Sequence, residues 1–159
     1  MFRGAAPGDW PDIYRIFRAV TGSGDTYPYP PGMSEDDARD TWFAPANSVF
    51  VATTNNDIVA TAYLKANTPG LGDHVANAGW MVDPQHQGRG MGRTFAEYVI
   101  DQAKDFGFHG MQFNAVVTTN TKAISLWESL GFEIVGTVPD AFRHSSHGLI
   151  PVHIMYRAL

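Results

Sequence analysis

Three glycines, Gly88, Gly90 and Gly92, alternate with Arg89, Met91 and Arg93 just after Gln87, between an apolar run ending at Val82 and a helix-periodic run around Phe95. Glycine visits left-handed backbone conformations at no steric cost, so a tight turn is the plain reading of such a loop. The chemical reading is an anion cradle. With no side chains in the way, a phosphate reaches backbone N–H groups at a helix start, where the helix dipole also favours negative charge. The spacing narrows the choice of anion. A dinucleotide fingerprint needs G-x-G-x-x-G with an acid about 20 residues on, and here Arg93 stands where its third glycine belongs. A nucleoside-triphosphate loop ends in Gly-Lys-Ser or Gly-Lys-Thr, and neither tripeptide occurs in the chain.

Composition removes other chemistries. The chain has no cysteine, which excludes disulfides, thiolate nucleophiles, zinc ribbons and iron–sulfur ligation together. Its formal net charge of −5 comes without a basic block, so its long-range field repels nucleic acid and anionic membrane, and neither is expected as a partner. No run approaches the roughly 18 apolar residues of a membrane span, and no basic-then-apolar leader opens the chain. A cytoplasmic protein is expected. With 159 residues, 44% of them apolar and 17% charged, residues 1–159 fit one globular domain.

The elements that must position the loop follow from pattern. Asp9 is placed to cap a helix with Trp10, Ile13, Phe17 and Val20 on one side, and Ser34 to cap a second with acids in its first turn. Between them lies a Gly- and Pro-dense loop carrying Tyr27 and Tyr29. "SVFVATT" and "IVATAYLKA" around the Asn55-Asn56-Asp57 turn predict a β-hairpin. "ANAGWMV" reads as a fourth strand, "RTFAEYVIDQAKDF" as a helix stopped by Gly107, "HGMQFNAVVT" as a fifth strand, and "NTKAISLWESLGF" as a short helix stopped by Gly131. "FEIVGTV" and "LIPVHIMYRAL" then close the chain around a loop, "PDAFRHSSHG". This order predicts an α/β fold with a mostly antiparallel sheet.

Gln87-x-x-Gly90-x-Gly92, set between a strand and a long helix, resembles the pyrophosphate-binding motif of the GNAT superfamily of N-acetyltransferases. Asn120, Ala123, Leu126, Gly131 and Phe132 resemble its second signature, a short helix ending in Leu-Gly-Phe. The resemblance covers essentially the whole chain. It implies the GNAT fold: a mixed, mostly antiparallel sheet of about seven strands, splayed between strands four and five and flanked by about four helices. It also implies acetyl-CoA as cosubstrate and no metal. The pyrophosphate donors would come from Gln87, Gly88, Arg89, Gly90, Met91, Gly92 and Arg93, and the pantetheine arm would run beside the backbone of Trp80, Met81 and Val82. Asn120 resembles the family residue at the pantetheine end, and reads equally well as a plain helix cap.

In the family a backbone N–H of strand four stabilises the developing oxyanion, here near Met81. The acceptor amine must lose a proton first, since a lysine-like pKa of about 10.4 keeps it protonated at pH 7. Many relatives use a strand-four glutamate for this, which "ANAGWMV" lacks. The family's usual tyrosine acid is replaced by Trp127, whose indole donates no proton at neutral pH and which reads as a core residue or a wall along the cofactor. "NAGWMV" and "FNAVVTTN" are locally similar to strands of the yeast acetyltransferases that detoxify proline analogues such as azetidine-2-carboxylate. That match puts Asn77 and Asn114 at the acceptor site; the alternative is that each satisfies a backbone group beside the splay. Tyr27 and Tyr29 are candidates to wall the acceptor pocket. His144 and His147 read as solvent-exposed loop residues near the acceptor entrance, with a catalytic base as the sharper alternative.

The expected function is acetyl-CoA-dependent N-acetylation of a small-molecule amine, such as an amino or imino acid. Acetylation of a protein N-terminus or lysine, and non-catalytic sensing of CoA, are the alternatives, because fold alone does not settle activity. A homodimer is an expectation by analogy only.

Overall fold

The computed structural model describes residues 1–88 and 90–159. Seven strands form one sheet in the order β1-β2-β3-β4-β5-β7-β6. These are β1 (Phe2–Gly4), β2 (Ser48–Thr54), β3 (Asp57–Ala66), β4 (Val75–Val82), β5 (Gly110–Val117), β6 (Glu133–His144) and β7 (Gly148–Ala158). Neighbours are antiparallel except β4 and β5, which run parallel. The described residues form four α-helices: α1 (Trp10–Thr21), α2 (Glu35–Trp42), α3 (Met91–Asp105) and α4 (Thr121–Ser129).

Strand alternation sorts the side chains to two faces. Ala60, Ala62 and Leu64 of β3 and Ala76 and Ala78 of β4 pack with Phe95, Val99 and Ile100 of α3 and with Trp127 of α4. The other face carries Val49, Val51, Ile58 and Met81 against Ile13, Ile16 and Phe17 of α1 and Ala38 and Trp42 of α2. Trp42 is fully buried, and its polar group is satisfied in a relay. The indole donates to Thr61 Oγ1 at 3.0 Å, and the Thr61 hydroxyl donates to the Phe50 carbonyl at 3.1 Å.

The turn and cap chemistry accounts for most element ends. Asn55 and Asn56 have φ of 51° and 72°, the two positive values a tight hairpin turn requires; Asp57 already belongs to β3, paired with Thr54. Ser34 accepts from the Asp37 N–H at 3.2 Å at the start of α2. Gly107 and Gly131, both at φ 84°, end α3 and α4. Asp9 departs from expectation. Its carboxylate makes no cap bond to α1 and instead grips Arg3 on β1 and the Ala6 N–H at 2.7 Å, because an opposite charge on the adjoining strand is the stronger partner. Burial pushes the Asp9 carboxyl upward, but less than the Arg3 hydrogen bond lowers it, and the net direction is down.

β4 and β5 are paired only through Val75 with Gly110 and Ala76 with Met111, and beyond that they part. β5 then shifts register against β7 between Phe113 and Val116, which turns Asn114 and Ala115 outward. β6 is longer than expected. "PDAFRH" continues the strand, with register shifts between Ile134 and Gly136 and between Val138 and Phe142, and with Asp140 at φ 52°. The closing loop shrinks to Ser145–His147.

Candidate active site

β4 delivers the chain to the glycine loop through an anchored turn. Asp83, nearly inaccessible, is bound by the Arg15 guanidinium of α1 and accepts from the Gln85 N–H at 2.9 Å. Arg15 also donates to the Ile58 carbonyl at 3.1 Å. Burial raises the Asp83 carboxyl, yet the hydrogen bonds from Arg15 and Gln85 and the charges of Arg15 and His86 together hold it below its ordinary value. From this fixed point the loop reaches α3. Gly88 and Gly90 both have φ of 78°, and a Cβ at either would project into open space. Two of the three glycines are therefore demanded by backbone conformation, and neither places a side chain of its own before the helix start.

α3 begins at Met91, with Gly90 as its left-handed cap. The Arg93 and Thr94 N–H groups bond back to the Gly90 carbonyl at 3.1 and 3.3 Å. The Arg93 side chain is turned aside, held by Glu97 at 3.1 Å and by Ser129 Oγ at 2.8 Å. Gln87 is exposed and Met91 packs partly into the core. Arg89 lies outside the described residues.

A cavity of about 330 Å³ occupies the gap between β4 and β5. Its wall on the α3 and α4 side is aromatic. Trp80 lies 4.8 Å from Trp127, Trp127 lies 4.8 Å from Phe113, and Phe113 stacks on Phe132 at 4.4 Å (ring centroids). Trp127 is thus both a core residue and a cavity wall. Asn120 is a helix cap, its Oδ1 accepting from the Ala123 N–H at 3.2 Å at the start of α4, and it also lines the cavity. The indole nitrogen of Trp80 is buried and has no partner, a donor of the kind that a bound polar ligand satisfies.

The direction of the β4 amides corrects one expectation. Val75 accepts from the Asn67 N–H and Asp83 donates to the Val59 carbonyl, and the β3–β4 register runs between them without a shift. In an antiparallel pair alternate residues exchange bonds. Odd-numbered residues of β4, Met81 included, therefore face β3, with Thr61 opposite Met81. The N–H and C=O groups of Ala78, Trp80 and Val82 face the gap. Met81 cannot present its N–H there, and its side chain is buried among α1 and α2.

On that other face the cavity is lined by phenols. Tyr27 and Tyr29 stack at 5.6 Å, Tyr29 stacks on Phe17 at 5.3 Å, and Tyr63 meets Trp42 edge-on at 5.0 Å. The Tyr27 hydroxyl donates to the Trp80 carbonyl at 2.7 Å. Burial, with the neighbouring phenols, holds the Tyr27 hydroxyl well above its ordinary pKa, and burial likewise raises Tyr29 and Tyr63; all three are neutral donors at pH 7. Gly79 makes this arrangement fit, because a Cβ there would stand 2.7 Å from Tyr63 Cε1 and 3.3 Å from the Tyr27 hydroxyl.

Asn77 and Asn114 both line the cavity. Asn77 is buried, accepting from the Tyr63 hydroxyl at 3.3 Å and donating to the Gln112 carbonyl at 2.9 Å. It spans the gap where β4 leaves β5. Asn114 is exposed; it accepts from Gln112 Nε2 at 2.9 Å and donates to Asn67 Oδ1 at 2.7 Å. His144, the last residue of β6, and His147 in the following turn lie with rings 4.5 Å apart, away from the cavity lining. Their turn leans on the tyrosine-bearing loop through Ser145 N–H to the Gly24 carbonyl at 3.1 Å. Among the described residues no group of three or more His, Cys, Asp or Glu could hold a metal ion, and no helix is long and apolar enough to cross a membrane.

Sequence reasoning passed over Tyr63, Lys65, Gly79 and the Arg15–Asp83 pair. The signal for the first two was present: Thr61, Tyr63 and Lys65 alternate along one face of β3 with small apolar residues on the other.

A parallel pair that diverges over an aromatic cavity, its β4 strand running on into a glycine loop and a helix start, defines an acyl-transfer fold, and the comparisons agree. The model of the acetyltransferase (GNAT) family matches residues 10–132. The chain is 32% identical over 148 residues to the N-acetyltransferase aca1 of Schizosaccharomyces pombe, covering 82% of this chain and 71% of that protein. It is 35% identical over 66 residues to the L-amino acid N-acyltransferase MnaT of Escherichia coli, covering 42% and 38% of the two chains. The solved structure of a GCN5-related N-acetyltransferase from Kribbella flavida superposes with a TM-score of 0.95 at 42% identity, covering 100% of this chain and 97% of that one. The protein belongs to the GNAT family of acetyltransferases.

Proposed function

We propose that this enzyme transfers the acetyl group of acetyl-CoA directly to the amine of a small amino or imino acid. The observation that carries the proposal is the cavity in the β4–β5 gap, lined by Trp80, Phe113 and Trp127 on the α3 and α4 face and by Tyr27, Tyr29 and Tyr63 on the other. The residues fit a CoA thioester. The glycine loop and the α3 dipole suit a pyrophosphate, the inward N–H and C=O groups of Val82 suit a pantetheine amide, and Trp80 Nε1 is a buried donor without a partner. Acetyl-CoA supplies the activated acyl group; the chain's own part is to hold and orient.

Trp80 N–H, rather than Met81 N–H, is the backbone donor aimed at developing oxyanion charge. Asn114, at the mouth, orients the acceptor through its amide, which offers both donors and an acceptor. Asn77, already bonded at both ends, holds the gap open at its base. No carboxylate or imidazole lines the cavity among the described residues. The acceptor's proton therefore leaves to water or is absent from its neutral fraction, and the rate should rise with pH toward the amine's own pKa. A thiol near the cysteine-like pKa of about 8.5 departs without a dedicated acid, so Trp127 has only to pack.

Release of free thiol from acetyl-CoA across amino acids, polyamines, aminoglycosides and peptides tests the proposal. Turnover with a neutral amino or imino acid is expected. Turnover confined to peptides would favour protein acetylation, and tight CoA binding with no turnover would favour a sensor.

A further inference from the structure

Among the described residues that line the cavity, Lys65 is the one charged side chain. It is partly buried, and no carboxylate of the described residues pairs with it. Its ammonium lies 5.9 Å from the Tyr63 ring centroid, over the ring. That ring in turn lies across Gly79, next to Trp80 and the point where β4 faces the gap. Thr26 contributes a second clue: its hydroxyl, in the same lining, is buried without a hydrogen-bond partner. The remaining polar lining, Asn77, Asn114, Asn120 and the three phenols, is neutral.

A partly desolvated cation with no counter-ion, in a cavity free of anions, attracts negative charge and repels positive charge more strongly than it would in water. We propose that Lys65 is the specificity-determining residue of the acceptor site, pairing with the α-carboxylate of an amino or imino acid whose amine points into the β4–β5 gap. The inference rests on the small-acceptor reading above and deepens it. Three consequences follow from the chemistry. Acceptors that carry extra positive charge, such as polyamines and lysine side chains, are disfavoured. The apolar faces of Tyr27, Tyr29 and Tyr63 favour an uncharged side chain. Pairing the carboxylate with Lys65 also weakens that carboxylate's hold on the ammonium of the same molecule, which lowers the amine's pKa in the site and enlarges its reactive fraction.

The test separates binding from turnover. N-acetyl-L-methionine, N-acetyl-L-phenylalanine and N-acetyl-L-proline are each titrated by calorimetry into CoA-saturated protein beside the corresponding amide, which lacks the carboxylate charge. At least one acid should bind the parent about tenfold to a hundredfold tighter than its amide, the range of a charge-assisted hydrogen bond. In Lys65→Met, which keeps most of the aliphatic stem, that preference should vanish while the amide binds as before; Lys65→Arg should retain most of it. Under turnover with L-methionine and L-methioninamide, the methionine KM should rise in Lys65→Met with little change for the amide. A parent that binds no acid tighter than its amide, or a Lys65→Met variant that keeps the preference, overturns the assignment. The parent comparison needs no variant, so a misfolded mutant leaves the test intact. Carboxylate preference in binding without turnover would sink the transferase reading and spare Lys65. Turnover of amines with no carboxylate preference would do the reverse.

Discussion

On the α3 and α4 side of the sheet, beside an aromatic wall of Trp80, Phe113 and Trp127, the polar groups on offer are largely backbone: the strand amides of Trp80 and Val82 that face the gap, and the α3 start behind Gly88 and Gly90 where β4 leads. On the α1 and α2 side they are side chains: three phenols, Asn77 and an ammonium. The difference is one of tolerance. A backbone site is indifferent to most substitutions and fails only where a Cβ intrudes, so one side can keep a fixed ligand. A side-chain site changes its ligand whenever its residues change. Under the proposed function, the acyl donor belongs with the first and acceptor choice with the second.

The sharpest way to break this division is at Gly90. Gly90→Val puts a β-branched residue at φ 78° and a side chain before the helix start, and CoA affinity measured by calorimetry should fall by more than about a hundredfold, with a strain cost of about 1–2 kcal/mol. Unchanged affinity in a folded variant would remove the backbone site. Asn114→Ala probes the opposite side. A lost hydrogen bond to a charged group costs about 1.5–3 kcal/mol, roughly tenfold to 150-fold in kcat/KM for the acceptor, and CoA binding should stay as it was; loss of both affinities would mean that the two sides are not separable.

The loop anchor gives a milder, pH-dependent effect. Asp83 is held below its ordinary pKa in the folded protein, so its contribution is present above the unfolded value of about 3.9 and is lost as pH falls through the folded value. Asp83→Asn should destabilise the protein by about 1.5–3 kcal/mol at pH 7. Urea titrations should also show that the variant loses less stability than the parent on acidification. The smallest effect is expected at Trp127. Trp127→Phe keeps an aromatic wall and should retain most of the maximal rate; a several-hundredfold fall at saturating substrates, with stability and CoA affinity intact, would show that the indole takes part in the chemistry.

The same division explains what could be read without coordinates. The glycine loop was legible because backbone chemistry can be done only by residues without side chains, and spacing alone then separates one phosphate site from another. The hairpin at Asn55 and Asn56 and the stops at Gly107 and Gly131 were legible for a similar reason, since positive φ selects residue type. Which amides of β4 face the gap was not, because the parity is fixed by bonding to β3, and the expected donor at Met81 fell on an amide that faces β3. Lys65 and Tyr63 were hidden inside an ordinary strand alternation, and Asp9 was read as a cap because Arg3 lies on a strand that meets it only in the folded chain. The extension of β6 through Pro139 and Asp140 was missed because a turn dipeptide also serves a bulge.

Only two residue pairs join β4 to β5, so the ladder contributes little to holding β1–β4 against β5–β7. The junction is made instead by the shared core: Phe50, Leu64 and Ala76 from one half and Met111, Phe113 and Met155 from the other, under Val99 and Ile100 of α3. Cohesion of that kind weakens on cooling, unlike a hydrogen-bonded ladder that would clamp the halves directly. The fold should therefore fail in the cold by the two half-sheets letting go of one another. In hydrogen exchange near 0 °C, amides around Ala76 and Met111 should lose protection before those in the middle of the β2–β3 and β6–β7 pairs.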